Sequence, residues 1–177
     1  MSGTTANEAQ EEPVVRHREY EWSDPAGIAA AAPEVSGLEF LQRMASGSDP
    51  QPPITATLNF RLSKVEPGKV TVLATAGEFT SNAIGTTHGG VIATWADTAM
   101  GYAIQSRLPA GSSLTTLDIQ VRYLRPVPLD GATVTIVGEA EHVGRRTAVS
   151  TARVMDGSGR TIATASCTCL ILEARAR

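Results

Sequence analysis

Hydrophobic and polar positions divide the chain into three stretches. Residues 1–35 are rich in Glu, Ala and Pro and show no sustained period, which predicts an N-terminal extension that is largely irregular, mobile or draped over the rest. Tyr20 and Trp22 beside Asp24-Pro25 suggest one local anchor in it, because large aromatic side chains seldom stay fully exposed. From Gly37 to Ala45, Leu38, Leu41 and Gln42 recur at helical spacing behind the capping residue Ser36, so a short helix is expected. Two β-rich segments follow, Ala56 to Lys64 and Lys69 to Ala76, joined by the hairpin turn Val65-Glu66-Pro67-Gly68.

His88 to Arg107 lacks proline, has glycine only near its start and at position 101, and is rich in Ala, Ile, Met and Trp. A single long helix is the natural reading, and its apolar residues lie on nearly every side, so something must wrap it. The remainder is strand-like: Ser113 to Leu124, Ala132 to Val143, Thr147 to Met155 and Thr161 to Leu172, separated by short turns. Short turns favour antiparallel neighbours. About six strands curled round one helix would bury the helix and the concave face of the sheet together, an α+β arrangement. Residues 36–177 would form this one domain, with 1–35 as its extension.

Composition narrows the function more than the fold. With 177 residues and 42% hydrophobic content the chain suits one buried core. A formal charge of −3 gives no basic surface for nucleic acid. The first residues lack the basic start and apolar run of a secretory signal, and the most apolar stretch, Val91 to Ile104, is too short to span a bilayer and contains Asp97. A cytoplasmic protein without a membrane span is expected. Cys167 and Cys169, one residue apart on a strand, share a face without the usual disulfide geometry and read as reduced core residues. No metal or cofactor is implied.

The chemistry concentrates around the long helix. Ser81 to Gly90 runs from a polar loop into the helix start, where free N–H groups and the positive end of the dipole favour an anion. Gly89 and Gly90 leave room for a carbonyl oxygen to approach those donors, although glycines at a tight turn are also ordinary. Asp97 is a lone carboxylate in an apolar helix. It is either satisfied by hydroxyls such as Thr94 or Thr98, or kept as a base or nucleophile, and function is the better reading. At 1.5 Å and 100° per residue, Asp97 stands about 13 Å along the helix from His88 and about half a turn round. The two cannot meet within one chain, so a site using both needs two copies of it.

The pattern Asn82-x-x-Gly85-x-x-His88-Gly89-Gly90, then Asp97 in a helix, then Tyr123-Leu124-Arg125-Pro126 on the next strand resembles the hotdog-fold acyl-coenzyme A thioesterases. It is most similar to their phenylacetate-degradation (PaaI-type) group, over about Gly37 to Glu173. The resemblance implies a curved antiparallel sheet wrapped round a central helix, a homodimer or a homotetramer built as a dimer of dimers, and an acyl-coenzyme A substrate. It assigns Asp97 as base or nucleophile, the Gly89 amide as oxyanion donor, and Asn82 and His88 as groups that orient water or thioester. Thr116 is the assisting hydroxyl, with Thr115 as the fallback because alternate strand residues face opposite sides.

A thioester has a good thiolate leaving group, so a base and an oxyanion hole can suffice. Arg122, Arg125, Arg145 and Arg146 are candidates for the phosphates of coenzyme A, or else a solvated strand edge and hairpin tip. Trp95, Met100 and Phe79 could line an acyl pocket or be ordinary core. The competing readings are a hydratase or dehydratase on the same fold and a non-catalytic acyl-coenzyme A sensor.

Overall fold

A computed structural model describes residues 14–173. The expectation for the polar first residues and the last four residues of the domain fall outside that range. Six strands form one antiparallel sheet in the order β1-β2-β4-β5-β6-β3. They are β1 (Phe60–Glu66), β2 (Lys69–Thr75), β3 (Ser112–Tyr123), β4 (Thr133–Val143), β5 (Thr147–Met155) and β6 (Thr161–Glu173). Four helices accompany them: α1 (Pro25–Ala31), α2 (Gly37–Ser46), α3 (Pro53–Thr57) and the long α4 (Gly89–Gln105). None of these is long and apolar enough to cross a membrane. The sheet curls round α4 in the hotdog arrangement.

α4 begins where the His88 ring caps it, Nδ1 accepting the Gly90 N–H at 2.9 Å, and it ends at Ser106, whose hydroxyl donates to the Ala103 carbonyl. One side of it, from Ile92 through Trp95, Ala96, Ala99, Met100, Ala103 and Ile104, is buried against the sheet. The opposite side, with Thr94, Asp97, Thr98, Tyr102 and Gln105, is only half-buried in the single chain. The sheet therefore covers the helix on one side and not all round. Two glycines set how closely it does so. A Cβ on Gly138 of β4 would stand 2.2 Å from the Ala99 carbonyl oxygen, and one on Gly37 of α2 would stand 1.8 Å from that of Gln105. Only a residue without a side chain lets these backbones meet. Trp95 is fully buried and donates its indole N–H to the Leu58 carbonyl at 3.1 Å, which satisfies its one polar atom.

Two segments depart from the sequence reading. Ala56 to Leu58 is not the start of a strand, because Pro53 opens the short helix α3 and the Thr55 hydroxyl bonds back to the Pro52 carbonyl. Asn59, at φ 50°, then turns the chain, and pairing begins only at Phe60 opposite Ala74. A proline at the first helical position has its φ already set for the helix and lacks an N–H that would go unpaired there. In the extension, residues 14–24 are irregular, and α1 and the 3-10 turn Ala32–Glu34 follow. Asp24 caps α1 by accepting the Ala26 N–H, and Pro25 sits at its start. Tyr20 and Trp22 stay exposed, with ring centroids 5.7 Å apart. Arg18 is the anchor instead: its guanidinium lies 3.8 Å from the Phe79 ring centroid and donates to the Ala56 and Thr57 carbonyls, both at 2.7 Å.

Candidate active site

β3 carries an irregularity that matters for its chemistry. It pairs with β6 through Thr116 opposite Cys169 and then Asp118 opposite Thr168, so Leu117 is an extra residue in the strand. Such a bulge re-aims the side chains beside it. Thr116 points inward to α4 while Leu117 stands out on the edge, 58% exposed. The Thr116 hydroxyl donates to Asp97 Oδ1 at 2.9 Å. Thr115 is exposed and pairs with Leu170. The hydroxyls of Thr94 and Thr98 do not reach Asp97: each bonds a helix carbonyl one turn back, Gly90 at 3.0 Å and Thr94 at 2.9 Å. Asp97 is therefore half-buried with one oxygen held by Thr116 and the other without a partner among the described residues.

Asp97 and Thr116 lie on the wall of a cavity of about 540 Å³. Behind them, Cys167 and Cys169 are free, buried thiols with sulfurs 3.8 Å apart. Burial first, and the neighbouring Cys169 and Asp97 next, push the Cys167 thiol up to about 12. These thiols stay protonated and are poor nucleophiles. Tyr102 also faces the cavity, and burial pushes its phenol up to about 12, so it stays neutral. Among the described residues no three His, Cys, Asp or Glu side chains cluster as metal ligands would.

The start of α4 lines a different cleft, of about 360 Å³, with Asn82, Thr86, Gly89, Tyr123 and Arg125 on its walls. Asn82 fastens its own loop. Its Oδ1 accepts the N–H groups of Ile84 and Thr86, and its Nδ2 donates to the Thr86 hydroxyl. The Gly89 N–H has no acceptor among the described residues, and Gly89 accepts the Tyr123 hydroxyl on its carbonyl at 2.7 Å. His88 is exposed, its Nδ1 spent on the helix cap. One chain thus brings Asp97 together with Thr116, and Asn82 together with Gly89, but keeps the two groups in separate cavities.

The four arginines do not gather at one place. Arg122 lies on the outer face of the sheet, Arg125 beside the Gly89 cleft with its guanidinium on the Thr161 carbonyl, and Arg145 and Arg146 in the β4–β5 turn. Trp95 and Met100 are fully buried core, and Phe79 lies under Arg18, so none of the three lines the Asp97 cavity. Its apolar lining comes instead from α1, α2 and α3 through Ala29, Phe40 and Ile54, with Leu114 of β3. The cap-and-proline pair Asp24-Pro25 was the signal in the sequence for the first of these helices.

Comparison with known proteins agrees with this architecture. The thioesterase superfamily model matches residues 84–163. A protein of Halobacterium salinarum that bears the name of an esterase is 37% identical over 84 residues, 45% of this chain, and the chain spans only 56% of that relative's length. A Streptococcus mutans protein solved with bound acetyl-coenzyme A is 30% identical, with a TM-score of 0.60 over 67% of this chain and 92% of its own. The Escherichia coli PaaI protein, from the phenylacetic acid degradation operon, shares the fold at 22% identity, with a TM-score of 0.69 over 78% of this chain and 98% of its own. In sequence across the central helix and in the path of the whole sheet, the chain belongs to the thioesterase superfamily.

Proposed function

We propose that the protein hydrolyses acyl-coenzyme A thioesters, with Asp97 as the carboxylate that activates water or attacks the carbonyl itself. The observation that carries this reading is the Asp97–Thr116 pair. A carboxylate held at 2.9 Å by one hydroxyl, on the wall of a largely apolar cavity, is placed to act on a substrate there rather than to hold the fold together. The acetyl-coenzyme A in the Streptococcus mutans relative supports a coenzyme A thioester as the substrate class. The family motif favours the phenylacetate-degradation group within the superfamily. In the general-base route, water loses a proton to Asp97 and adds to the thioester carbon. The oxyanion is held by the Gly89 N–H, and its collapse breaks the C–S bond to release the acid and the coenzyme A thiolate.

The Gly89 donor and Asp97 line separate cavities in one chain, so the site is completed by a second copy. β3 supports this: it is an edge strand of 12 residues whose outer side pairs with nothing among the described residues. Long unpaired edges are templates for strand addition. We infer an antiparallel pairing of the β3 strands of two chains. The partner subunit's Gly89 then comes toward Asp97. His88 and Asn82 hold the start of α4 in place for that donor. Arg125, beside the Gly89 cleft, is the arginine best placed for a coenzyme A phosphate.

The test is thiol release from aromatic and aliphatic acyl-coenzyme A esters by the wild type and by Asp97→Asn. Turnover that falls about 10²- to 10⁴-fold in the folded variant supports the reading. Tight binding of the esters without turnover by the wild type would replace it with an acyl-coenzyme A sensor.

A further inference from the structure

The Asp97 cavity is walled on one side by the N-terminal part of the chain. Ala29 of α1, Ala32 and Pro33 of the following 3-10 turn, Phe40 of α2 and Ile54 of α3 all line it, facing Tyr102 and Leu114 on the other side. All five wall residues lie outside residues 84–163, the segment that the superfamily model matches. The wall is also lightly built. α1 is seven residues long and buries none of them. The segment is tied to the body through the Pro33 carbonyl, which accepts the Gly111 N–H at 2.9 Å, and through the partly buried Ile28 and Ala32 against the core. Its cavity-facing residues Ala29 and Ala32 are small, so the wall stands back and leaves the space open.

We infer that the segment Pro25–Glu34 is the specificity wall of this site, and that Ala29 and Ala32 set how large an acyl group can lie beside Asp97. The inference rests on the thioesterase reading. The carbonyl carbon must come to Asp97, and the cavity beside it extends to Ala29 of α1 and to Ala32 and Pro33 of the 3-10 turn. Ala29, Ala32, Pro33, Phe40, Ile54 and Leu114 give the cavity its apolar lining, beside the Tyr102 ring, while Gln105, Ser112, Ser113 and Glu173 are among its polar residues. The occupant that fits is an apolar acyl group larger than acetyl. A short acyl group reaches the carboxylate without touching the wall, whereas a longer one or one ending in a ring must pack on it.

The test uses the full chain with Ala29→Phe and Ala32→Phe, alongside Ala30→Phe as a control. Ala30 sits on the same helix but does not line the cavity. Thiol release is measured with acetyl-, hexanoyl-, decanoyl- and phenylacetyl-coenzyme A. For Ala29→Phe and Ala32→Phe, kcat/KM for decanoyl and phenylacetyl esters falls about ten-fold or more while acetyl changes by less than about two-fold, and Ala30→Phe keeps the wild-type profile. Circular dichroism and thermal unfolding establish that each variant is folded, and Ala32→Leu repeats the measurement with a smaller side chain if the phenylalanine disrupts the turn. An unchanged profile in folded variants, or an equal loss on every ester, overturns the wall and leaves the thioesterase reading intact. Absence of turnover by the wild type on all esters overturns that reading and the wall with it.

Discussion

Thr116→Val removes the hydroxyl that donates to Asp97 and keeps the shape of the side chain. A hydrogen bond to a charged group contributes about 1.5–3 kcal/mol to stability, so the variant unfolds several degrees lower, and with Asp97 no longer held in place it also loses about 10- to 100-fold in kcat. Thr116→Ser restores most of the rate, because it returns the donor; equal loss in both variants would place the effect in packing. The same geometry explains what single residues reveal from sequence. Asp97 is conspicuous as a charge among apolar neighbours. Thr116 and Thr115 are indistinguishable until the bulge at Leu117 sets the phase of the strand beside α4.

At the scale of the element, Gly138 and the β5–β6 turn give two measurable consequences. Gly138→Ala places a methyl group 2.2 Å from the Ala99 carbonyl oxygen, a backbone atom that cannot rotate away. Forcing β4 from α4 costs about 1–3 kcal/mol, which lowers the unfolding temperature by about 2–4 °C per kcal/mol in a chain of this size. An unchanged unfolding temperature would mean that the helix slides freely under the sheet. In the turn, the Ser158 hydroxyl and then the Arg160 N–H and guanidinium hold the Asp156 carboxyl down at about 2, below its usual 3.8. The folded state therefore binds this proton less readily than the unfolded chain does. Its contribution to stability is present above pH 3.8 and is lost as pH falls through about 2. In acid unfolding experiments, the stability difference between wild type and Asp156→Asn narrows over that interval.

The strands from β3 onward are legible in the sequence because alternation and short turns act locally, and β5 matches its expected bounds. α3 was not, because Pro52-Pro53 starts a helix inside a run whose composition suits a strand. The contribution of α1 to the cavity was hidden for another reason. A seven-residue helix with no buried residue carries no amphipathic signature, and its position is decided by what it leans on.

For the whole molecule, the exposed apolar residues along β3 make the second copy testable. Leu117→Lys with Ile119→Lys introduces charge on an edge that now presents apolar side chains 58% and 36% exposed. Analytical ultracentrifugation then finds the wild type as a dimer or larger and the variant shifted toward monomer, with thiol release lost in parallel. Full activity in a monomeric variant would show that one chain contains the complete site. The sequence by itself determined the helix, the strands after it and Asp97 as the chemically unusual residue, because these follow from periodicity and from the cost of a charge among apolar side chains. Only the tertiary structure decided that Thr116 is the group on Asp97, that the Gly89 cleft lies apart from it, and that the N-terminal helices line the cavity. These are relations between residues far apart in the chain, fixed by strand register, by a one-residue bulge and by close backbone approach at two glycines.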